Sequence, residues 1–179
     1  MENKAKQNRV YCIDRLEEYS PNISTLVSMM KLTRAITLHA ARGLTVEQLD
    51  YLHDEESNSI GMLLFHIATT EKWYQMETFE GRVEFTDEEK AFWDKGTLEN
   101  RQEALKIRGN NLDYYRDLLS EVKNATYQQL KTKDDEWLKK ESFIWGEEYP
   151  LNNWFKWFHV FEDEINHRGQ ISWLRKRLR

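Results

Sequence analysis

Phe158-His159-Val160-Phe161-Glu162-Asp163-Glu164-Ile165-Asn166-His167-Arg168-Gly169-Gln170 is the stretch on which the architecture of this chain turns. Apolar residues recur through it at helical spacing, back to Trp154 and on to Leu178. The pattern predicts one long helix after Pro150, capped by Asn152 or Asn153 and continuing to the C-terminus. At about 100° and 1.5 Å per residue, His159, Asp163 and His167 fall within an arc of roughly 80° while climbing roughly 12 Å. The outer two are too far apart for one ion. A metal on this face therefore takes an i, i+4 pair, either His159 with Asp163 or Asp163 with His167.

The same helix is apolar on two sides. Trp154, Phe158, Phe161 and Ile165 form one sector, while Val160, Ile171, Leu174 and Leu178 lie nearly opposite, on the side of Asp163 and His167. One sector should face the interior and the other should meet connecting segments or a second subunit, so a homodimer is expected.

Working outward, Pro21 introduces a first long helix over about Asn22 to Arg42, stopped by Gly43 in the C′ manner. Leu44 to Tyr51 reads as a short helical turn. A second long helix begins near Ser57 or Ser59 and carries Ile60, Leu63, Leu64, Ile67 and Tyr74, with His66 beside that stripe. Phe79 to Gly96 is acidic and mixed, an excursion with at most a short helix, anchored by Phe85, Phe92 or Trp93 and packed over one end of the body. A third long helix is expected after Thr97 as N-cap, running to about Ala125, followed by a turn over Thr126 to Leu130. Lys131 to Tyr149 reads as irregular or extended. Four long helices around one core make an all-α four-helix bundle.

Composition narrows the function classes. A chain of 179 residues suits one domain, 1–179, with an N-terminal arm over 1–20. The net charge of −5, with signs interspersed, argues against a nucleic-acid binder, and the short basic tail Arg175-Lys176-Arg177 reads as solvated cations at a helix C-terminus. Cys12 is the only cysteine, so neither a disulfide framework nor a thiolate cluster is available and any metal must use His and carboxylate. The first residues lack the apolar core of a signal peptide, and no run approaches the roughly 18 apolar residues of a membrane span. A soluble, cytoplasmic protein without membrane partners is expected. Seven Trp, eight Tyr and eight Phe, many of them near the polar constellation, suit a pocket for a small-molecule substrate, a subunit interface, or both.

His66, Asp163 and His167, from two helices, would make a two-histidine, one-carboxylate site for Zn, Ni, Fe(II) or Mn with open positions for water or a thiol, and His159 stands at its margin. Bland readings compete. A histidine beside an apolar stripe is usually a satisfied or half-exposed residue, and Glu162-Asp163-Glu164 reads equally as a solvated face with Arg168 paired to Glu164 at i+4. Glu71 falls on the apolar stripe of its helix, where a carboxylate needs a partner; structural pairing competes there with a role as general base. Gly169 inside the last helix suggests close packing, and Gln170 a contact with the pocket. His39, His53 and Cys12 have no companions and read as structural or surface residues.

Asn58-Ser59-Ile60-Gly61-Met62-Leu63-Leu64-Phe65-His66-Ile67-Ala68 followed by Glu71, together with His159 to Gln170 ending in His-Arg-Gly-Gln, resembles the two hallmark segments of the DinB/YfiT-like metalloenzymes. These are four-helix-bundle proteins named for damage-inducible members, and the resemblance spans nearly the whole chain. It implies one metal-binding histidine on the second helix and two, four residues apart, on the last. Those positions are His66 and His167 here, with Asp163 in place of the middle histidine. The exchange removes a nitrogen ligand and adds negative charge, which shifts preference toward harder ions or abolishes binding. The resemblance further implies thiol transferase or hydrolase chemistry in some members.

Two functions follow as expectations. One is a divalent-metal-dependent enzyme in which the ion activates a water or a low-molecular-weight thiol against a small electrophile, with Glu71 or Glu162 as base. The other is a metal-free small-molecule-binding or stress-response protein that keeps the bundle and its aromatic pocket.

Overall fold

The computed structural model describes residues 11–178; the first half of the expected arm and Arg179 lie outside the described residues. Four long helices form the body: α1 (Pro21–Ala41), α3 (Ile60–Gln75), α6 (Leu112–Leu130) and α8 (Asn153–Arg175). Between them lie the short helices α2 (Val46–Leu49), α4 (Asp87–Trp93), α5 (Arg101–Ala104) and α7 (Asp135–Leu138). The fold is the all-α bundle expected, with α1 packed on α8 and α3 packed on both α6 and α8. No helix among the described residues is long and apolar enough to cross a membrane.

Local chemistry sets the boundaries. Ser59 caps α3 by accepting from the Met62 amide at 3.2 Å, and Asn152 caps α8 by accepting from the Phe155 amide at 2.8 Å. The start of α1 is capped from a distance: Asp135 accepts from the Asn22 amide at 3.1 Å and from the Ser20 hydroxyl at 2.5 Å. Its end is met by Arg175, which donates to the carbonyls of Ala40 and Arg42 at 2.8 and 2.7 Å. The basic tail is thus not simply solvated, because one of its arginines satisfies the open carbonyls of another helix.

The third helix differs from expectation. It does not begin at Thr97, because Gly109 adopts a left-handed φ of 77° and donates its amide to Asp50 at 2.7 Å, breaking the chain away from helical geometry. Asn111 then caps a new helix through the Tyr114 amide at 2.9 Å, and α6 runs on through the expected turn to Leu130. Residues 131–149 are also more ordered than expected. They hold α7 and the strand β1 (Glu141–Ser142), which pairs antiparallel with β2 (Leu151–Asn152) in front of α8.

A buried ionic network ties the four long helices together. Arg34 of α1 meets Glu164 of α8 at 3.0 Å and Glu71 of α3 at 2.8 Å, and donates to the Leu119 carbonyl of α6 at 2.9 Å. Thr126 of α6 donates to the other oxygen of Glu71 at 2.6 Å, and Gln75 of α3 donates to Thr126 at 2.8 Å. Burial works against the Arg34 charge, but the two carboxylates outweigh it and hold the guanidinium firmly protonated. Two expectations are corrected here. Glu164 is not on a solvated face with Arg168 but buried against Arg34. Glu71 is not free to act as a base, since both its oxygens are committed inside the core.

The excursion after α3 begins as a π-helical turn (Met76–Glu80) and returns through α4 and a 3₁₀ turn (Asp94–Thr97) against the flank of α3, not over its end. Gly96 sits so close that a Cβ there would lie 2.6 Å from Phe65 Cδ1 and clash with the Thr69 hydroxyl. That approach brings the Gly96 carbonyl to His66. On α8, Val160, Ile171 and Leu174 face the interior, whereas Trp154, Phe158 and Ile165 remain 39, 44 and 40% exposed.

Candidate metal centre

Helices α3 and α8 run antiparallel along one seam, as their ring contacts record in order: Tyr74 against His159, His66 against His167, and, ahead of α3, His53 against Trp173. At the middle of this seam His66, Asp163 and His167 each offer a ligand atom, all within 4.8 Å of one another. His66 Nε2 lies 3.6 Å from Asp163 Oδ2, and His167 Nε2 lies 3.2 Å from Asp163 Oδ1. The two imidazoles stand edge to face, with centroids 4.6 Å apart.

The orientation of His66 is fixed by its other nitrogen. Nδ1 sits 2.7 Å from the Gly96 carbonyl, which can only accept, so Nδ1 carries the proton and Nε2 the lone pair. Nε2 therefore presents an acceptor to Asp163 Oδ2, a second acceptor. Two acceptors face each other unless a cation stands between them. A proton would serve, but burial pushes the His66 imidazole below its ordinary value; His167 adds to this, and the Gly96 bond and Asp163 do not offset it. Burial pushes the Asp163 carboxyl up, yet the close approach of His167, with smaller contributions from His66 and His159, holds it below the usual carboxylate range. A neutral imidazole beside an ionised carboxylate is what a divalent cation requires. Among the described residues Asp163 Oδ2 and His167 Nδ1 are moreover buried without a hydrogen-bond partner, a cost of about 1–3 kcal/mol each that ligation of the carboxylate would relieve for Asp163. The donor set fits Zn, Ni, Fe(II) or Mn.

Of the two pairs that α8 offers, the structure joins Asp163 with His167 and leaves His159 outside. His159 stacks on Phe155 at 5.8 Å and lies edge-on to Trp145 at 5.9 Å, while its Nδ1 meets Glu162 at 3.0 Å. Glu162 accepts from Asn166 at 2.7 Å through its other oxygen. His159 and His66 instead share the wall of an aromatic cleft of about 320 Å³ with Trp73, Tyr74, Thr70 and Trp145. No spacing in the sequence marks Trp145 or the Gly96 carbonyl as part of the site. Both arrive on connections, where helical periodicity gives no signal, although the glycine ahead of Thr97 was a visible hint of close approach. Gly169 also differs from expectation. A Cβ there would meet nothing within 4 Å among the described residues, so close packing does not explain it. His39 and His53 stand exposed, as expected.

A family model described as Mycothiol-S-transferase matches residues 25–179. No curated protein matches the chain.

Proposed function

The chain belongs to the Mycothiol-S-transferase family, within the DinB/YfiT-like proteins, and from that premise we propose that it joins a low-molecular-weight thiol to a small electrophile at the α3/α8 seam, with a divalent ion held by His66, Asp163 and His167. The observation that supports the metal most strongly is the convergence of one ligand atom each from His66, Asp163 and His167 within 4.8 Å, with the lone pair of His66 Nε2 facing Asp163 Oδ2 at 3.6 Å and the Thr70 hydroxyl at 3.4 Å. When bound, such an ion lowers the pKa of a thiol at the site and raises its thiolate fraction at neutral pH.

The protein's own residues supply the rest. The Gly96 carbonyl keeps His66 in the tautomer whose Nε2 faces the site. Trp73, Tyr74 and Trp145 give the aromatic cleft walls suited to an apolar electrophile. His159 donates from Nδ1 to Glu162, which leaves Nε2 to accept the thiol proton; in this reading Glu162 orients the base and is not the base itself. The sulfur lone pair forms the new S–C bond as the carbon's bond to its leaving group breaks. The departing group takes that electron pair, and the proton passes from His159 to solvent.

Conjugation of monochlorobimane with mycothiol, cysteine and pantetheine, before and after chelation, tests the proposal. Turnover that vanishes on chelation and returns with Zn, Ni or Mn is the expected result. Unchanged turnover after complete metal removal would remove the metal from it, and absence of turnover alongside small-molecule binding would replace it with the metal-free binding reading.

A homodimer belongs to the same proposal, supported by the exposed Trp154, Phe158 and Ile165 on α8 beside Met29 of α1. Solution scattering at tens of micromolar should give twice the chain mass; a monomer mass would remove this part.

A further inference from the structure

Tyr74 of α3 is only 4% exposed, yet its hydroxyl has no hydrogen-bond partner among the described residues and, unlike those of Tyr115 and Tyr127, is not sealed within the core. Tyr74 lines the aromatic cleft of about 320 Å³, so this donor opens into it. The other hydroxyls of the cleft are engaged. Thr69 donates to the Phe65 carbonyl at 3.1 Å and Thr97 to the Asp94 carbonyl at 2.9 Å, while Thr70 is turned to His66 Nε2 at 3.4 Å.

Helix register puts the free hydroxyl beside the chemistry. His66, Thr70 and Tyr74 follow one another at i, i+4 and i+8 on α3, opposite His159, Asp163 and His167 on the antiparallel α8. His66 therefore meets His167 at one end of the seam, and Tyr74 meets His159 about 12 Å along it, edge-on with ring centroids 6.0 Å apart. A small molecule in the cleft has the ion site at one end and the phenol at the other. Neither lysine nor arginine lines the cleft, and Glu99, which does, is exposed. Negative charge that grows on a substrate oxygen there has a neutral hydroxyl to meet it. Burial pushes the Tyr74 phenol up, and the carboxylates of Glu77 and Asp163 add to this, so the hydroxyl keeps its proton.

We propose that Tyr74 donates from its hydroxyl to the oxygen on which charge develops as the thiol attacks, and that it thereby favours electrophiles whose reacting carbon is conjugated to a carbonyl over alkyl halides. The assignment rests on the thiol-transferase reading above. With an enone no group departs. The sulfur lone pair forms the S–C bond at the β-carbon, the C=C pair moves toward the carbonyl carbon, and the carbonyl pair passes to oxygen as an enolate. Tyr74 holds that charge through its hydrogen bond and keeps its own proton. The thiol proton goes to His159 and on to solvent, and solvent protonates the α-carbon. A departing chloride is a far weaker acceptor and gains less from the same donor.

Conjugation of mycothiol with 4-phenylbut-3-en-2-one and with benzyl chloride, by wild type and Tyr74→Phe, tests the assignment. The variant loses only an oxygen without a partner in the fold, so it should melt with wild type. Its ratio of kcat/KM for the enone to kcat/KM for the chloride should fall about tenfold or more, whereas a residue that merely shapes the wall would lower both in proportion. A second readout needs no turnover: the carbonyl stretch of bound 4-phenylbutan-2-one, the unreactive saturated ketone, should lie at lower frequency in wild type than in Tyr74→Phe. An unchanged ratio, wild-type catalysis of the chloride but not of the enone, or failure of the ketone to bind with a Tyr74-dependent shift would overturn the proposal. Absence of all conjugation in wild type, with that shift present, would strike the transferase reading and leave Tyr74 as the cleft's carbonyl donor.

Discussion

Arg34→Met is expected to destabilise the fold by about 3–5 kcal/mol, because it leaves Glu71 and Glu164 buried side by side without their cation. The loss exceeds what removing the hydrogen bonds alone would give. Uncompensated carboxylates must be protonated or dragged toward water, and each route costs far more than a surface ion pair contributes. Urea unfolding of the variant should show a strongly lowered midpoint with an unchanged slope. The triple variant R34M/E71M/E164M should recover most of the loss, since hydrophobic side chains of similar volume need no partner. A single variant within about 1 kcal/mol of wild type would mean that the network does not hold the helices as described.

The second large effect is on chemistry. His66→Ala should reduce thiol conjugation by about 100-fold or more with the fold intact, whereas His39→Ala and His53→Ala should change it little. A three-ligand site loses an anchor that no neighbour replaces, because His159 is turned to Glu162 and its aromatic neighbours. Asp163→His restores a third nitrogen and removes a negative charge, so it should shift selectivity from Mn toward Zn and Ni. If His66→Ala kept wild-type turnover, the triad would not be the reacting centre.

The bundle was legible because its four long helices carry strong period and clear caps: Ser59, Asn152 and the Pro21/Gly43 pair sit where sequence chemistry puts them. The start of the third helix was misread because apolar residues at Leu105 and Ile107 continue a helical pattern across the break at Gly109, and only the run Gly109-Asn110-Asn111 marks it. Convergence of His66 with Asp163 and His167 could be suspected from spacing but not placed, since it depends on the antiparallel register of α3 and α8. Nothing in the residue spacing marks Arg34 as buried. A lone arginine in an amphipathic stretch looks like surface, and only the assembled core reveals its two carboxylates. Gly169 misled for the opposite reason, since an interior helical glycine suggests contact and this one faces open space.

Divalent-metal stoichiometry tests the central claim most directly. Protein purified without a histidine tag, exposed to Zn, Ni or Mn and dialysed, should retain about one ion per chain in wild type, and His66→Ala should retain far less while folded. Folded wild-type protein that binds none of these ions, or a His66→Ala variant with full metal content, would contradict the account.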